Sequence, residues 1–276
     1  MTTRPPFGTH TLHAWQNALM AVTQKLPETW LGRRFALWLR KPVLVTLGEQ
    51  PADVERLGYK LRLVPHDNVS EKRVLFTPQF FDSEELALLR QRIRPGFRFL
   101  DVGANAGLYS LFVAARAGVD ANIVAVEPQP AMLERLATNI ALNNFTTIHV
   151  APIAIADRNG SITLRLSSDN RGQASVAAQS GEPIDVPCRT LLSLMDTRNI
   201  KQADALKIDI EGAEDIVLEA FFSTAPRERW PKLVFIERNN NKWHTDVVSL
   251  MVGLGYHELT SGRMNAILEL SESTFN

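Results

Sequence analysis

Cysteine is almost absent: Cys188 is the only one in 276 residues. That excludes an intrachain disulfide framework and an all-cysteine metal site, and with them the small disulfide-stapled secreted domain. No apolar run approaches the ~18 residues that a bilayer span needs, and residues 35–39 are bounded by Arg34 and Arg40. Neither sign of charge is in excess. Thirty basic and thirty acidic residues give a formal net charge of zero and a pI near 7.0. A chain built mainly to sheathe nucleic acid would be basic, so no nucleic-acid partner is expected. Residues 1–6 have no apolar core behind a charged lead, so a secretory signal is not expected and the expected location is cytoplasmic. There are no repeats and no low-complexity tract. What is present is ordinary globular material, 45% hydrophobic and 22% charged, which excludes wholesale disorder. The length suits one α/β domain of about 200 residues with an extension.

The first 42 residues differ from the rest. They hold six basic residues and one acid, Glu28, a net +5, and three of the five tryptophans, Trp15, Trp30 and Trp38. Leu12, Trp15, Leu19, Val22 and Leu26 fall on one helical face. Pro27 breaks that helix, and a second one is expected over 28–40, ending before Pro42. Two readings stay open for this segment. It packs on the main domain or a second subunit, or it rests on anionic lipid as a basic amphipathic segment with tryptophan at the interface. The expected division is 1–70, a helical extension with a small cap, and 71–276, the main domain. The extension is expected to serve oligomerisation or peripheral membrane contact rather than chemistry. Residues 43–47, 60–64 and 73–76 read as short strands of the cap.

Residues 81–93 read as a helix opened by Asp82 or Ser83, with Glu84 and Glu85 in its first turn. From Phe97 onward short apolar strands alternate with helices. Strands are expected at 97–102, 122–126, 147–150, 205–210 and 233–237, and helices at 108–117, 131–142, 213–222 and 246–254. An antiparallel strand is expected at 162–166 and a closing hairpin at 256–259 and 266–270. The polar stretch 167–182 reads as a mobile loop. Alternation of this kind means a parallel sheet covered on both faces with an antiparallel element at its end.

Asp101-Val102-Gly103-Ala104-Asn105-Ala106-Gly107 sits where the first strand of this unit turns into a helix. Open α/β sheets bind ligands at such strand ends. The glycines let the backbone approach a ligand, and the helix start offers free N–H groups. A dinucleotide fold wants a third glycine and a pyrophosphate on that helix, which the carboxylate of Asp101 would repel. The same carboxylate would attract the amino group and sulfonium of S-adenosylmethionine. Glu127 ends the next strand, 26 residues on, where an acid can accept hydrogen bonds from vicinal ribose hydroxyls. Lys207-Ile208-Asp209-Ile210-Glu211-Gly212-Ala213-Glu214 lies at the end of the fourth strand, and Glu237 closes the fifth. A helix start explains Glu214 well but explains Asp209 poorly, because buried strand ends are poor places for idle charge.

Taken in order with Asn139, Asn143, Ala156-Asp157 and Gly160, these motifs resemble the FkbM family of S-adenosylmethionine-dependent methyltransferases over about residues 81–237. The resemblance implies a class I methyltransferase fold, a Rossmann-like, mostly parallel seven-stranded sheet with a terminal antiparallel strand. It implies O-methylation of a hydroxyl on a sugar, glycolipid, polyketide or similar metabolite. Carried over by position, Asp101, Gly103, Asn105 and Gly107 line the methionine end, Glu127 holds the ribose, Ala156 and Asp157 lie near the adenine, and Asp209, Glu211 and Glu237 face the acceptor. An aliphatic hydroxyl needs a base or a metal. Asp209 and Glu237 are the candidate bases and His244 a lesser one. Asp209, Glu211 and Glu237 are also an oxygen-rich set for a divalent cation, although no metal is assigned. Amino-group methylators of bases and glutamines often carry an Asn/Asp-Pro-Pro-Tyr/Phe run, and this chain has none. Cys188 reads as a small buried apolar residue. The rival readings are a binding module that holds S-adenosylmethionine or a nucleotide without turnover, acting through a protein partner, and a dehydrogenase-like dinucleotide enzyme.

Overall fold

The apolar runs after residue 97 form short strands buried on both faces, as parallel pairing under two layers of helices requires. The computed structural model describes residues 4–166, 174–175, 181–238, 242–261 and 265–271. The amino-terminal part holds α1 (Ala14–Thr23), α2 (Trp30–Leu47), the hairpin β1 (Ala52–Arg56) and β2 (Tyr59–Leu63), α3 (Val69–Phe76) and α4 (Ser83–Arg92). There follow β3 (Arg98–Val102), α5 (Leu108–Ala117), β4 (Asn122–Val126), α6 (Pro130–Asn143) and β5 (Ile148–Ala151). A second small sheet is made from β6 (Ala154–Ile155), β7 (Gly160–Leu166), β8 (Ala174–Ser175) and β9 (Glu182–Arg189). The chain then returns through α7 (Leu191–Thr197), β10 (Ala205–Ile208), α8 (Glu214–Thr224), β11 (Leu233–Glu237) and α9 (Val247–Gly253) to β12 (Tyr256–Ser261) and β13 (Asn265–Leu270).

The main sheet runs β12-β13-β11-β10-β3-β4-β5. β11, β10, β3, β4 and β5 are parallel, and β13 is inserted antiparallel between β11 and β12. This is the Rossmann-like class I methyltransferase arrangement, with its antiparallel strand one place in from the edge. The strand order reverses between β3 and β10, which opens a crevice at their carboxyl ends. The register sets Lys207 beside Asp101 and Ile208 beside Val102.

Several local expectations are corrected. Residues 43–47 belong to α2, which runs through Pro42 to Leu47. A proline inside a helix leaves the carbonyl four residues back without its donor. That carbonyl belongs to Trp38, which like Pro42 lies on the exposed side of the helix, where solvent can reach it. Burial of Leu39, Val43 and Leu47 on the opposite side carries the helix onward. Residues 73–76 end α3, whose start is capped by the Asn68 side chain accepting from the Glu71 N–H at 3.1 Å. A short apolar run does not separate helix from strand. In α1 the buried face is Gln16, Met20 and Thr23, whereas Trp15 and Val22 of the expected stripe are exposed. The hairpin partner at 52–56, the strand at 182–189 and the helix at 191–197 were not expected from the sequence. The loop expected over 167–182 and the tip of the closing hairpin lie mostly outside the described residues.

One hydrophobic cluster joins Met20, Val43 and Leu47 to Phe97, Leu111 and Ile267, so the amino-terminal helices and the sheet share a core. Asn139 ties the hairpin to that core. Its Oδ1 accepts from the Arg62 N–H at 2.8 Å, and its Nδ2 donates to the Ala106 carbonyl at 3.0 Å. Asn143 pairs with the backbone of Lys60 alone, its Oδ1 accepting from the N–H and its Nδ2 donating to the carbonyl. Asn139→Ala leaves two buried backbone groups without partners. It is expected to lower stability by about 2–6 kcal/mol in urea denaturation, at about 1–3 kcal/mol per orphaned group.

Candidate active site

The turn after β3 hooks over the end of β4. The N–H groups of Gly103 and Ala104 both donate to the Val126 carbonyl, at 3.0 and 2.9 Å. The Glu127 side chain then grips the turn. Its Oε2 accepts from the Asn105 N–H at 2.8 Å and its Oε1 from the Gln129 N–H at 2.9 Å. Burial pushes the Glu127 carboxyl up to about 7, against these two donors, which favour its ionised form. Glu71, also pushed up to about 7 by burial, is off the cavity wall.

A cavity of about 600 Å³ opens over the carboxyl ends of β3, β4, β10 and β11. This is within the usual range for small-molecule sites. Gly103, Asn105, Glu127, Asp209, Glu211 and Glu237 are on its wall. Asp101 is not. It is fully buried, with Oδ2 accepting from the Ser110 N–H at 3.0 Å and hydroxyl at 2.6 Å. Gly107 is off the wall too. A Cβ there would meet Leu136 at 2.4 Å, so this glycine lets α5 pack on α6. Gly103 likewise yields to protein, because a Cβ there would come within 1.9 Å of the Asp209 carbonyl oxygen. Ala156 and Asp157 lie beyond the wall, with Asp157 exposed and paired to Arg158. The apolar side is formed by Pro128, Ile153 and Ile155, with Ile162 and Leu164 from β7.

Carboxylate oxygens of Asp209, Glu214 and Glu237 come within 4.8 Å of one another. Glu211 is outside that group. The chain reverses at Glu211, where φ is +62°, and its carboxylate lies 3.6 Å from Lys242. Glu214 takes its place but serves the loop, accepting from the N–H groups of Ile210 and Gly212 and from Trp243 Nε1. His244 is off the wall, with its side chain 86% exposed. Cys188 is buried in β9, as its apolar reading requires.

Lys207 opens the strand-end motif but takes no role from the sequence, because a lysine in a strand reads as solvated. It is half-buried on the cavity wall, with Nζ donating to the Gly103 carbonyl and to Asp209 Oδ2, both at 3.3 Å, and 4.0 Å from Asp101 Oδ1. Burial disfavours its charge, but the carboxylates of Asp209 and Asp101 outweigh this and hold the ammonium above the usual lysine range. Tyr109 stands over it, and the Tyr109 hydroxyl donates to Asp82 Oδ2 at 3.0 Å. Glu28 and Arg33 also reach the wall, so the amino-terminal segment, expected to stay clear of the chemistry, shapes the cavity.

Residues 101–258, over half of the chain, match the methyltransferase FkbM domain family. No protein of curated function matches the chain. Among solved structures it is similar to the methyltransferase FkbM from Methylobacillus flagellatus KT. Identity is 17% and the TM-score 0.38, with 84% of this chain and 59% of that one covered. It is also similar to a SAM-dependent methyltransferase from Aquifex aeolicus (14% identity, TM-score 0.41, 69% and 89% covered). An rRNA methylase from Streptococcus thermophilus gives 10% identity, a TM-score of 0.42 and coverage of 68% and 95%. The residues on the wall suit S-adenosylmethionine: a strand-end carboxylate for a diol, an apolar side for a base, and an acid-rich end for a sulfonium and an ammonium. With the sequence match over 101–258 and this strand order, the chain belongs to the FkbM methyltransferase domain family and is an S-adenosylmethionine-dependent methyltransferase.

Proposed function

We propose that the protein methylates a hydroxyl of a neutral or cationic small molecule, such as a sugar, a glycolipid headgroup or a polyketide. The observation that carries this is the charge of the wall, which among the described residues holds eight carboxylates against three cations, Arg33, Arg73 and Lys207. A polyanion such as RNA would be repelled from it, whereas hydroxyl groups find acceptors on every side. A screen with methyl-labelled cofactor against soluble glycans, glycolipids and total RNA tests the reading. Label in the hydroxyl-bearing fractions is expected, and label in RNA alone would overturn it.

In this reading Glu127 holds the ribose hydroxyls, Pro128, Ile153 and Ile155 flank the base, and Asn105 and the turn at Gly103 border the methionine end. Bound S-adenosylmethionine supplies a methyl group already activated on sulfur, so the protein's contribution is alignment and proton removal. Asp209 takes the proton of the acceptor hydroxyl, Glu237 orients that hydroxyl, and Lys207 fixes the Asp209 carboxylate. Glu211 borders the acceptor side.

The raised Glu127 carboxyl gives a pH test. Ribose hydroxyls donate to it, so its ionised form is the better partner, and binding should strengthen as pH rises through about 7. S-adenosylhomocysteine affinity is expected to fall about tenfold from about pH 8 to about pH 6, as a group titrating between them requires. Glu127→Gln should weaken binding and flatten the profile in calorimetry. A slope that survives in that variant would assign the titration to another group.

A further inference from the structure

The fold leaves one face of α2 unused. Gly32, Ala36, Leu39, Val43 and Leu47 face the core, and the helical period puts Trp30, Arg34, Trp38, Lys41 and Val45 on the opposite side. Trp30 is 69% exposed, Leu31 70%, Trp38 65% and Val45 80%. Phe35 stacks on Trp38 with ring centroids 5.9 Å apart, and the Arg34 guanidinium lies 5.2 Å over the Trp30 ring. A contiguous apolar face of this kind marks an interaction surface.

The chemistry of the stripe selects the partner. Protein interfaces favour tryptophan and arginine but deplete lysine, and on this face Lys41 sits beside the tryptophans. The segment's only acid, Glu28, is taken by Arg33 at 2.6 Å, and a second copy carrying the same +5 would be repelled. Tryptophan flanked by cationic side chains suits the headgroup region of a membrane carrying negative charge. Among the described residues no helix is long and apolar enough to cross a membrane, so α2 would lie along the surface.

We infer that the outward face of α2 docks this protein on an anionic phospholipid surface. The inference stands apart from the choice of acceptor. Its relation to the site is that Glu28 and Arg33, at the start of α2, are on the cavity wall.

Co-sedimentation of the full chain with two kinds of vesicle tests it: phosphatidylcholine alone, and phosphatidylcholine with about 30% phosphatidylglycerol, a composition that carries the negative surface potential basic segments recognise. Binding to the second, little to the first, and release by added salt are expected. Arg34→Gln with Lys41→Gln should lower the partition coefficient about 30-fold, taking each cation at its usual contribution near a charged surface. Trp30→Ser with Trp38→Ser should abolish sedimentation. Both double variants should keep wild-type affinity for S-adenosylhomocysteine by calorimetry, which shows that they are folded and separates this test from that of the methyl-transfer reading. Four results would overturn the inference: no binding to anionic vesicles, equal binding to both kinds, undiminished binding by the variants, or a dimer in light scattering that Trp38→Ser dissolves.

Discussion

Asp209→Asn is expected to lower turnover by roughly 10²–10⁴, the range for a lost general base, while affinity for S-adenosylhomocysteine changes little. The amide keeps the shape of the carboxylate and leaves Glu127 and the turn over Val126 untouched, so the loss should appear in kcat and not in cofactor binding. Asp209 has the position for this role. It follows β10 at the cavity, its side chain is 38% exposed, and Lys207 holds one oxygen at 3.3 Å. Glu237→Gln should lower turnover less, because the part proposed for that residue is to orient the hydroxyl and not to take its proton. Chelator added to the wild type separates direct base action from a cation held by Asp209 and Glu237. If both variants methylate at near wild-type rate, the proton leaves by another route.

The second large effect is expected at Gly103. Its φ is +78°, and a Cβ would stand 1.9 Å from the Asp209 carbonyl oxygen, a backbone atom that no rotamer can move aside. Gly103→Ala should therefore cost about 2–5 kcal/mol, the left-handed penalty plus that of forcing two backbones apart. It should also impair turnover by displacing the residue proposed as base. Gly118→Ala is the matched control. Its φ is +77° with ψ −176°, and nothing lies within 4 Å of the new Cβ, so only the conformational term of this glycine-favouring region remains, about 1–3 kcal/mol. Equal losses in urea denaturation would show that the close approach is not what requires Gly103.

Much of the sheet was legible in the sequence because its strands are buried on both faces and read as unbroken apolar runs. Phe99-Leu100-Asp101-Val102, Ile123 to Val126 and Leu233 to Ile236 are of this kind. The hairpin 52–63 was not. Ala52 and Val54 alternate with Asp53 and Glu55, and the turn uses Leu57 at φ +56°, a conformation bulky side chains seldom adopt. The buried pair of Asp53 and Arg62 that closes this hairpin looks like surface charge on paper. In the site, the strand-end positions of Glu127, Asp209 and Glu237 follow from periodicity alone. Which neighbour joins them does not, because the reversal at Glu211 turns its side chain toward Lys242 and brings Glu214 inward. The reasons for Gly103 and Gly107 were also out of reach, since the atoms they make room for belong to Asp209 and Leu136, 106 and 29 residues away.

The placement of β13 bears on synthesis. The outer edge of β11 exposes the backbone of Val234, Phe235 and Ile236 until Ala266, Ile267 and Leu268 pair with it, and those residues leave the ribosome about thirty positions later. During that interval the nascent chain carries an open apolar strand edge, the feature that recruits foreign strands. β12 emerges earlier but belongs one place farther out, so it cannot cover the gap without blocking the strand that must fill it. The hairpin of β12 and β13 has to dock as a unit, and truncation within its last strand should turn a folded product into a chaperone client.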